Sequence, residues 1–284
     1  MRSWCLALLC APLCALLPGL PAGAATLDVP TPYIPSTRGN VDEMLRLAGV
    51  TPQDIVYDLG SGDGRIVIAA ARDYGARGVG IEFDAALVHE SAEHARKAGV
   101  GERAAFLHSD IFAADLRPAT VVTMYLLTSL VNQLEPKLLA ELKPGTRIVA
   151  HDYGFAQWQP DRIVQIPKKY MLYVVPAQVA GAWRIEAAMT KGREFVLDLQ
   201  QNYQEVRGGV RVQGGILPAF DARMSGERVS FVLVEDDVSY RFDGAVRGDV
   251  IEGVVRYGTG PKLNEQRWRA QRRQPITSIT PIPR

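Results

Sequence analysis

Cysteine is scarce in this chain: Cys5, Cys10 and Cys14 are its three thiols, and all lie near the amino terminus. The remainder has no disulfide, no thiolate metal site and no cysteine nucleophile. Excess charge is lacking too. Lys and Arg total 32 against 31 Asp and Glu, a formal net charge of +1. Arg2 is the only charged residue before position 25, so the chain from there on is neutral. A neutral chain lacks the global electrostatic footprint of a nucleic-acid binder, and no nucleic-acid partner is expected.

Long apolar runs are absent apart from Trp4 to Leu17. Arg2 before that run and Ala22-Gly23-Ala24 after it have the pattern of a secretory signal peptide over residues 1–24. The run is too short and too interrupted by proline for a membrane span. The expected location is therefore exported, periplasmic or secreted, with no stable membrane span once the leader is cleaved. Four histidines are present. His89 and His94 would stand about 140° apart on a helix, a poor pair for one metal. All four read as structural or solvated, although His151-Asp152 follows the fifth expected strand. No metal is expected.

Two phosphate-binding signatures are missing. There is no Gly-x-x-x-x-Gly-Lys-Ser/Thr loop, and a dinucleotide Gly-x-Gly-x-x-Gly starting at Gly60 would need glycine where Arg65 stands. What is present is Asp58-Leu59-Gly60-Ser61-Gly62-Asp63-Gly64-Arg65, directly after the apolar run Ile55-Val56-Tyr57. A buried strand delivers the chain to a turn whose glycines let a ligand approach the backbone. Asp58 would repel a pyrophosphate but suits a ligand carrying an ammonium and a sulfonium. Glu82 closes the next apolar run, where an acid accepts hydrogen bonds from ribose hydroxyls. Asp110 follows the third expected strand in His108-Ser109-Asp110-Ile111-Phe112.

These residues resemble motif I of the class I S-adenosylmethionine-dependent methyltransferases, with Glu82 as their motif II acid and Asp110 as their acid near adenine. The resemblance implies S-adenosyl-L-methionine as cofactor, bound by Asp58, Gly60, Ser61, Gly62, Gly64, Glu82 and Asp110. Pro32-Tyr33-Ile34-Pro35-Ser36-Thr37, the wording of the glycine turn and Tyr125-Leu126-Leu127 are similar to a narrower family. That family comprises the bacterial and mitochondrial seven-strand lysine methyltransferases of the ATP synthase c-subunit type. It implies a lid of Tyr33, Pro35 and Ser36, with Tyr33 at the catalytic site, and a lysine of a protein as acceptor; Tyr125, just after the fourth expected strand where a doubly wound fold binds its ligand, is expected beside the methyl as a catalytic residue. Thr128 stands where proline often follows Tyr-Leu-Leu in that family, and no Asn/Asp-Pro-Pro-Tyr is present. A small-molecule acceptor, or an exported binding protein without turnover, remain alternatives. The donor is made in the cytosol whereas the leader predicts export, a conflict the residues leave open.

The helix and strand periods alternate from Asn40 onward. Asn40 is expected to cap a first helix whose apolar face is Val41, Met44, Leu45 and Ala48. Strands follow at Ile55–Leu59, Gly78–Glu82, Ala105–Leu107, Thr120–Leu127, Arg147–Ala150, 162–166 and 170–175. The helix after Asp84 is expected to bury Leu87, Val88, Ser91, Ala92 and Ala95. This predicts an α/β doubly wound, Rossmann-like seven-stranded sheet over residues 25–176. Period-two alternation with frequent glycine turns predicts an antiparallel barrel or sandwich of seven or eight strands over 177–270. Trp183 and Trp268 are expected at its ends, and 271–284 reads as a disordered tail.

Overall fold

The computed structural model describes residues 34–187, 195–212, 215–259 and 263–273. The leader, Tyr33 and residues 274–284 lie outside the described residues, whereas Gln271 and Arg272, expected to begin a disordered tail, belong to the last strand, where Arg272 is buried and pairs with Asp249. No described helix is long and apolar enough to cross a membrane.

The first layer begins with α1 (Arg38–Ala48), whose N-cap is Thr37 and not Asn40. The Thr37 hydroxyl accepts from the Asn40 amide, while the Asn40 side chain accepts from the Tyr170 hydroxyl at 3.0 Å. The hydroxyl of Thr37 thus caps an orphan amide of the first turn, ahead of the residue the pattern suggested. Gly49 ends the helix at φ 61°, a left-handed conformation suited to a residue without Cβ. Then come β1 (Ile55–Leu59), α2 (Arg65–Asp73), β2 (Arg77–Glu82), α3 (Ala85–Lys97), β3 (Ala104–His108), β4 (Val121–Met124), α4 (Thr128–Glu141), β5 (Arg147–His151), β6 (Arg162–Gln165) and β7 (Lys169–Val174).

These seven strands form one sheet in the order β3-β2-β1-β4-β5-β7-β6. Strands β1 to β5 are parallel, and β7 runs antiparallel to both β5 and β6. The strand order reverses between β1 and β4, which opens a crevice at their carboxyl ends. The amino edge is tied by Asp54, which takes hydrogen bonds from Thr51 and Thr120 and pairs with Arg147.

Two expectations need correcting. Strand β4 stops at Met124, short of Leu127, because its neighbour β1 ends in register at Leu59. Tyr125 and Leu126 therefore turn off the sheet into α4. In α3 only Ser91 and Ala95 are buried, Leu87 and Val88 are half covered, and Ala92 is exposed. That helix packs near the β3 edge, where little sheet remains to cover it.

The second sheet has nine strands: β8 (Gly181–Ala187), β9 (Phe195–Asn202), β10 (Glu205–Val212), β11 (Gly215–Pro218), β12 (Phe220–Ser225), β13 (Arg228–Glu235), β14 (Val238–Arg247), β15 (Val250–Gly258) and β16 (Asn264–Arg272). Sequential antiparallel pairing, with β16 on β8 and β9 on β10, closes a barrel; β11 folds back on β10 outside the ring. Inward positions are Phe195, Leu197, Phe231, Phe242, Val255 and Trp268 among others, and they fill the lumen. A Cβ on Gly253 would meet the Asp243 carbonyl oxygen at 1.9 Å, so only glycine lets β14 and β15 approach there. Trp268 is not at an end: it sits edge-on to Phe231 and Phe242 inside the barrel. Trp183 lies beneath the Arg272 guanidinium, 4.0 Å from its carbon.

The barrel meets the first layer through its β9–β10 turn. Tyr203, at φ 52°, stacks on Trp158 with ring centroids 5.4 Å apart, and its hydroxyl donates to Glu135 of α4. The Trp158 indole donates to Gln204 at 3.0 Å, and Gln204 donates back to the Gln159 carbonyl.

Candidate active site

Every element that brings chemistry to the carboxyl edge of the first sheet does so for a local reason. The Gly60-to-Gly64 turn holds φ values of 77°, 54° and 81° at its glycines, which L side chains rarely adopt. Its packing is equally exclusive. A Cβ on Gly64 would lie 2.6 Å from the Phe106 ring, and one on Gly60 would meet Leu126 at 3.1 Å. Gly80, on β2, has the same constraint against Ser61 and Phe106, a requirement that the apolar pattern of that strand did not reveal.

Asp58 and Glu82 stand on adjacent strands and differ in surroundings. Asp58 is buried and takes one hydrogen bond, 2.7 Å from the Thr123 hydroxyl. Burial pushes its carboxyl up to about 7, against the Thr123 bond, with the negative fields of Glu82 and Asp63 adding to the rise. A buried carboxylate beside two acids is a place where a cation is favoured. Glu82 accepts from the Gly62 amide at 2.8 Å on one oxygen and from the Phe83 and Asp84 amides on the other. The first oxygen keeps a lone pair for a further donor. The Ser61 hydroxyl is buried without a partner among the described residues. Asp110 accepts from the Phe112 amide on one oxygen, an Asx turn that leaves the other oxygen open. Asp58, the glycine turn and Glu82 are thus brought together; Asp110 follows β3, which pairs with β2, and the amide of its neighbour Ser109 donates to the Glu82 carbonyl.

On the other side of the crevice Tyr125 follows β4 and His151 ends β5. Their rings stack at 4.1 Å, and His151 stacks in turn on Tyr170 at 5.0 Å. Tyr153 lies parallel to Tyr125 at 6.2 Å. Asp152 has φ 58°, unusual for a residue with a Cβ, and is pinned by Lys168 at 2.9 Å and the Lys169 amide. Of the expected lid, Ser36 is buried and its carbonyl accepts from Arg65, which also grips Asp63 of the glycine turn. Pro35 is exposed, and Tyr33 lies outside the described residues. Sequence reading passed over Arg65, Asp63 and the aromatic stack around His151; the last depends on β4, β5 and β7 lying side by side.

The left-handed glycine turn, whose backbone a ligand can approach, and the two acids beside it fit a cation carrying a ribose. A doubly wound seven-stranded sheet carrying this turn at the switch point is the fold and site of a class I S-adenosylmethionine-dependent methyltransferase. Residues 58–162 match the family model of the ANTKMT methyltransferase domain. A protein-lysine N-methyltransferase of Saccharolobus islandicus is 42% identical over 151 residues, covering 53% of this chain and 94% of that protein. The adenine nucleotide translocase lysine N-methyltransferase of Mus musculus is 35% identical over 138 residues, 49% of this chain and 60% of that protein. A crystal structure described as an RNA methyltransferase from Salinibacter ruber with bound S-adenosyl-L-homocysteine is 47% identical, with a TM-score of 0.51, over 51% of this chain and 96% of that one. The chain belongs to the class I S-adenosylmethionine-dependent methyltransferases. It is an enzyme, and S-adenosylmethionine is its cofactor. The Saccharolobus and Salinibacter relatives align almost end to end with about half of this chain.

Proposed function

We propose that the protein N-methylates the side-chain amine of lysine in a protein. The observation that carries this is the wall of Tyr125 and Tyr153 beside the donor cradle, at the carboxyl ends of β4 and β5. Parallel aromatic rings attract an alkylammonium through their faces and line an aliphatic stem. The name of the Saccharolobus relative, a protein-lysine N-methyltransferase, supports the same acceptor. Asp58, Gly60, Ser61, Gly62, Gly64, Glu82 and Asp110 hold the donor, which supplies a methyl group already activated on sulfur. Asp58 faces its positive charge, Glu82 takes its ribose hydroxyls, and Asp110 borders its adenine. Tyr125 orients the incoming amine, and Tyr33 with Pro35 and Ser36 covers the site. Holding the amine in line with the methyl is the main contribution of such a wall.

The leader pattern over residues 1–24 supports export, with cleavage after Ala24, and catalysis outside the cytosol then requires donor there. Amino-terminal sequencing of protein recovered from the cell envelope fraction tests this, and an intact leader on a cytosolic protein overturns it.

The acceptor is tested by incubating residues 25–284 with methyl-labelled S-adenosylmethionine and extract from cells lacking the protein. Label sensitive to protease, recovered as methyl-lysine after acid hydrolysis, is the expected result. Label removed by ribonuclease, or confined to small molecules, overturns the lysine reading.

A further inference from the structure

His151 is 1% exposed, and among the described residues neither of its ring nitrogens has a hydrogen-bond partner. That is costly, since a buried polar group without a partner loses its hydration and gains nothing in return. A phenylalanine would fill the same slot between Tyr125 and Tyr170 without that cost. The imidazole also ends β5 directly beside Tyr125, the residue assigned above to the acceptor wall. The site it serves has a need that no other described residue there meets. An alkylammonium must lose a proton before its nitrogen has a lone pair to attack with. Asp152 is occupied by Lys168 and a backbone amide, and a tyrosine hydroxyl is a poor proton acceptor at neutral pH.

We propose that His151 receives the proton of the acceptor ammonium, once the acceptor side chain displaces Tyr125 from its stack on the imidazole. This rests on the lysine reading above. One N–H bond of the ammonium breaks and its proton goes to an imidazole nitrogen. The freed lone pair forms the N–C bond as the C–S bond breaks, and sulfur keeps that electron pair. The product leaves as a methylammonium, and the imidazolium gives its proton to water before Tyr125 stacks on it again.

The surroundings suit this role. Burial holds the His151 imidazole below its ordinary range, and Lys168 acts in the same direction, while Asp152 opposes them. The Asp152 carboxylate lies 3.8 Å from one ring nitrogen, close enough to stabilise an imidazolium. From β7 the neighbour is Tyr170, with Glu43 of α1 acting on that ring from beyond it. Burial thus keeps the resting imidazole neutral while weakening it as a base, and the Asp152 carboxylate is what favours the imidazolium.

His151→Phe keeps the sandwich and removes the nitrogens. With the labelled acceptor of the extract as substrate, the variant is expected to bind donor as the parent does and to unfold at the same or a higher temperature. Its methyl transfer at pH 7 should fall by about 100-fold, the lower range for losing a general base. The deficit should shrink as pH approaches the amine's own pKa of about 10.4, where the acceptor needs no base. Parent-like transfer at pH 7, or a deficit equally large at pH 10, overturns the proposal. The parent supplies an independent readout: the imidazole titration of His151, followed by NMR, should coincide with the acidic limb of its pH–rate profile at saturating donor, where the Asp58 carboxyl no longer titrates in that range. Divergence of the two overturns the proposal even if the variant fails to fold. A parent that labels no lysine overturns the acceptor reading instead, and the inference falls with it.

Discussion

Calorimetric titration of S-adenosylmethionine in buffers of different ionisation enthalpy should detect proton release from Asp58. Its carboxyl is pushed up to about 7, chiefly by burial and further by the charges of Glu82 and Asp63, against the Thr123 hydrogen bond. With that value, about half of the Asp58 side chains hold a proton at pH 7, about nine in ten at pH 6 and about one in ten at pH 8. A ligand bearing an ammonium and a sulfonium favours the carboxylate, so binding expels whatever proton is there. The expected release is about 0.9, 0.5 and 0.1 proton at pH 6, 7 and 8. Donor affinity should rise with pH by up to about tenfold per unit below 7 and level off above it.

Stability should move in the opposite sense. Because the folded-state value is raised, the contribution of Asp58 is fully present below its unfolded pKa of about 3.9 and is lost as pH rises through about 7. Asp58→Asn should therefore be more stable than the parent at pH 8, by at most about 4 kcal/mol at ~1.4 kcal/mol per unit, while binding donor more weakly. Enthalpies of binding that do not depend on buffer between pH 6 and 8 would refute the placement of donor charge at Asp58.

Other outcomes are equally concrete. Glu82→Gln should weaken donor binding about tenfold or more, since a charge-assisted hydrogen bond is worth roughly 1.5–3 kcal/mol; unchanged affinity by calorimetry would remove Glu82 from the ribose site. Gly80→Ala places a Cβ 2.5 Å from the Ser61 hydroxyl and 2.6 Å from Phe106. It should cost about 1–3 kcal/mol in denaturant unfolding and lower donor affinity by shifting Ser61. Tyr203→Phe keeps the stack on Trp158 and loses the bond to Glu135. It should cost about 1 kcal/mol, whereas Tyr203→Ala should cost more and also change Trp158 fluorescence.

The strand, glycine turn and second strand were legible in the residues. Apolar runs ending in Asp58 and Glu82, with glycines between them, specify a strand, a turn and a second strand through local rules alone. Chain-local chemistry positions that turn, so its pattern survives in one dimension. Closure of the barrel was not legible. The alternation at Phe195 to Leu199 fits a sandwich as well as a barrel, and only the pairing of β16 with β8 decides between them. Helix α1 shows the limit for ends of elements: Thr37 and Asn40 are both good caps, and a contact from Tyr170, far away in the chain, occupies Asn40.

By itself, then, the amino-acid order determined the alternating α/β unit, its glycine turn and the two acids, because each arises from periodicity or backbone freedom within a few residues. Only the tertiary structure decided the aromatic stack at the ends of β4 and β5. Tyr125, His151 and Tyr170 come from three strands or their ends, and their stack exists because β4, β5 and β7 are neighbours in the sheet. Tyr203 reaches Trp158 and Glu135 only because the barrel docks by that turn. Such contacts join residues that no local rule relates, and burial across the finished fold is what sets their chemistry.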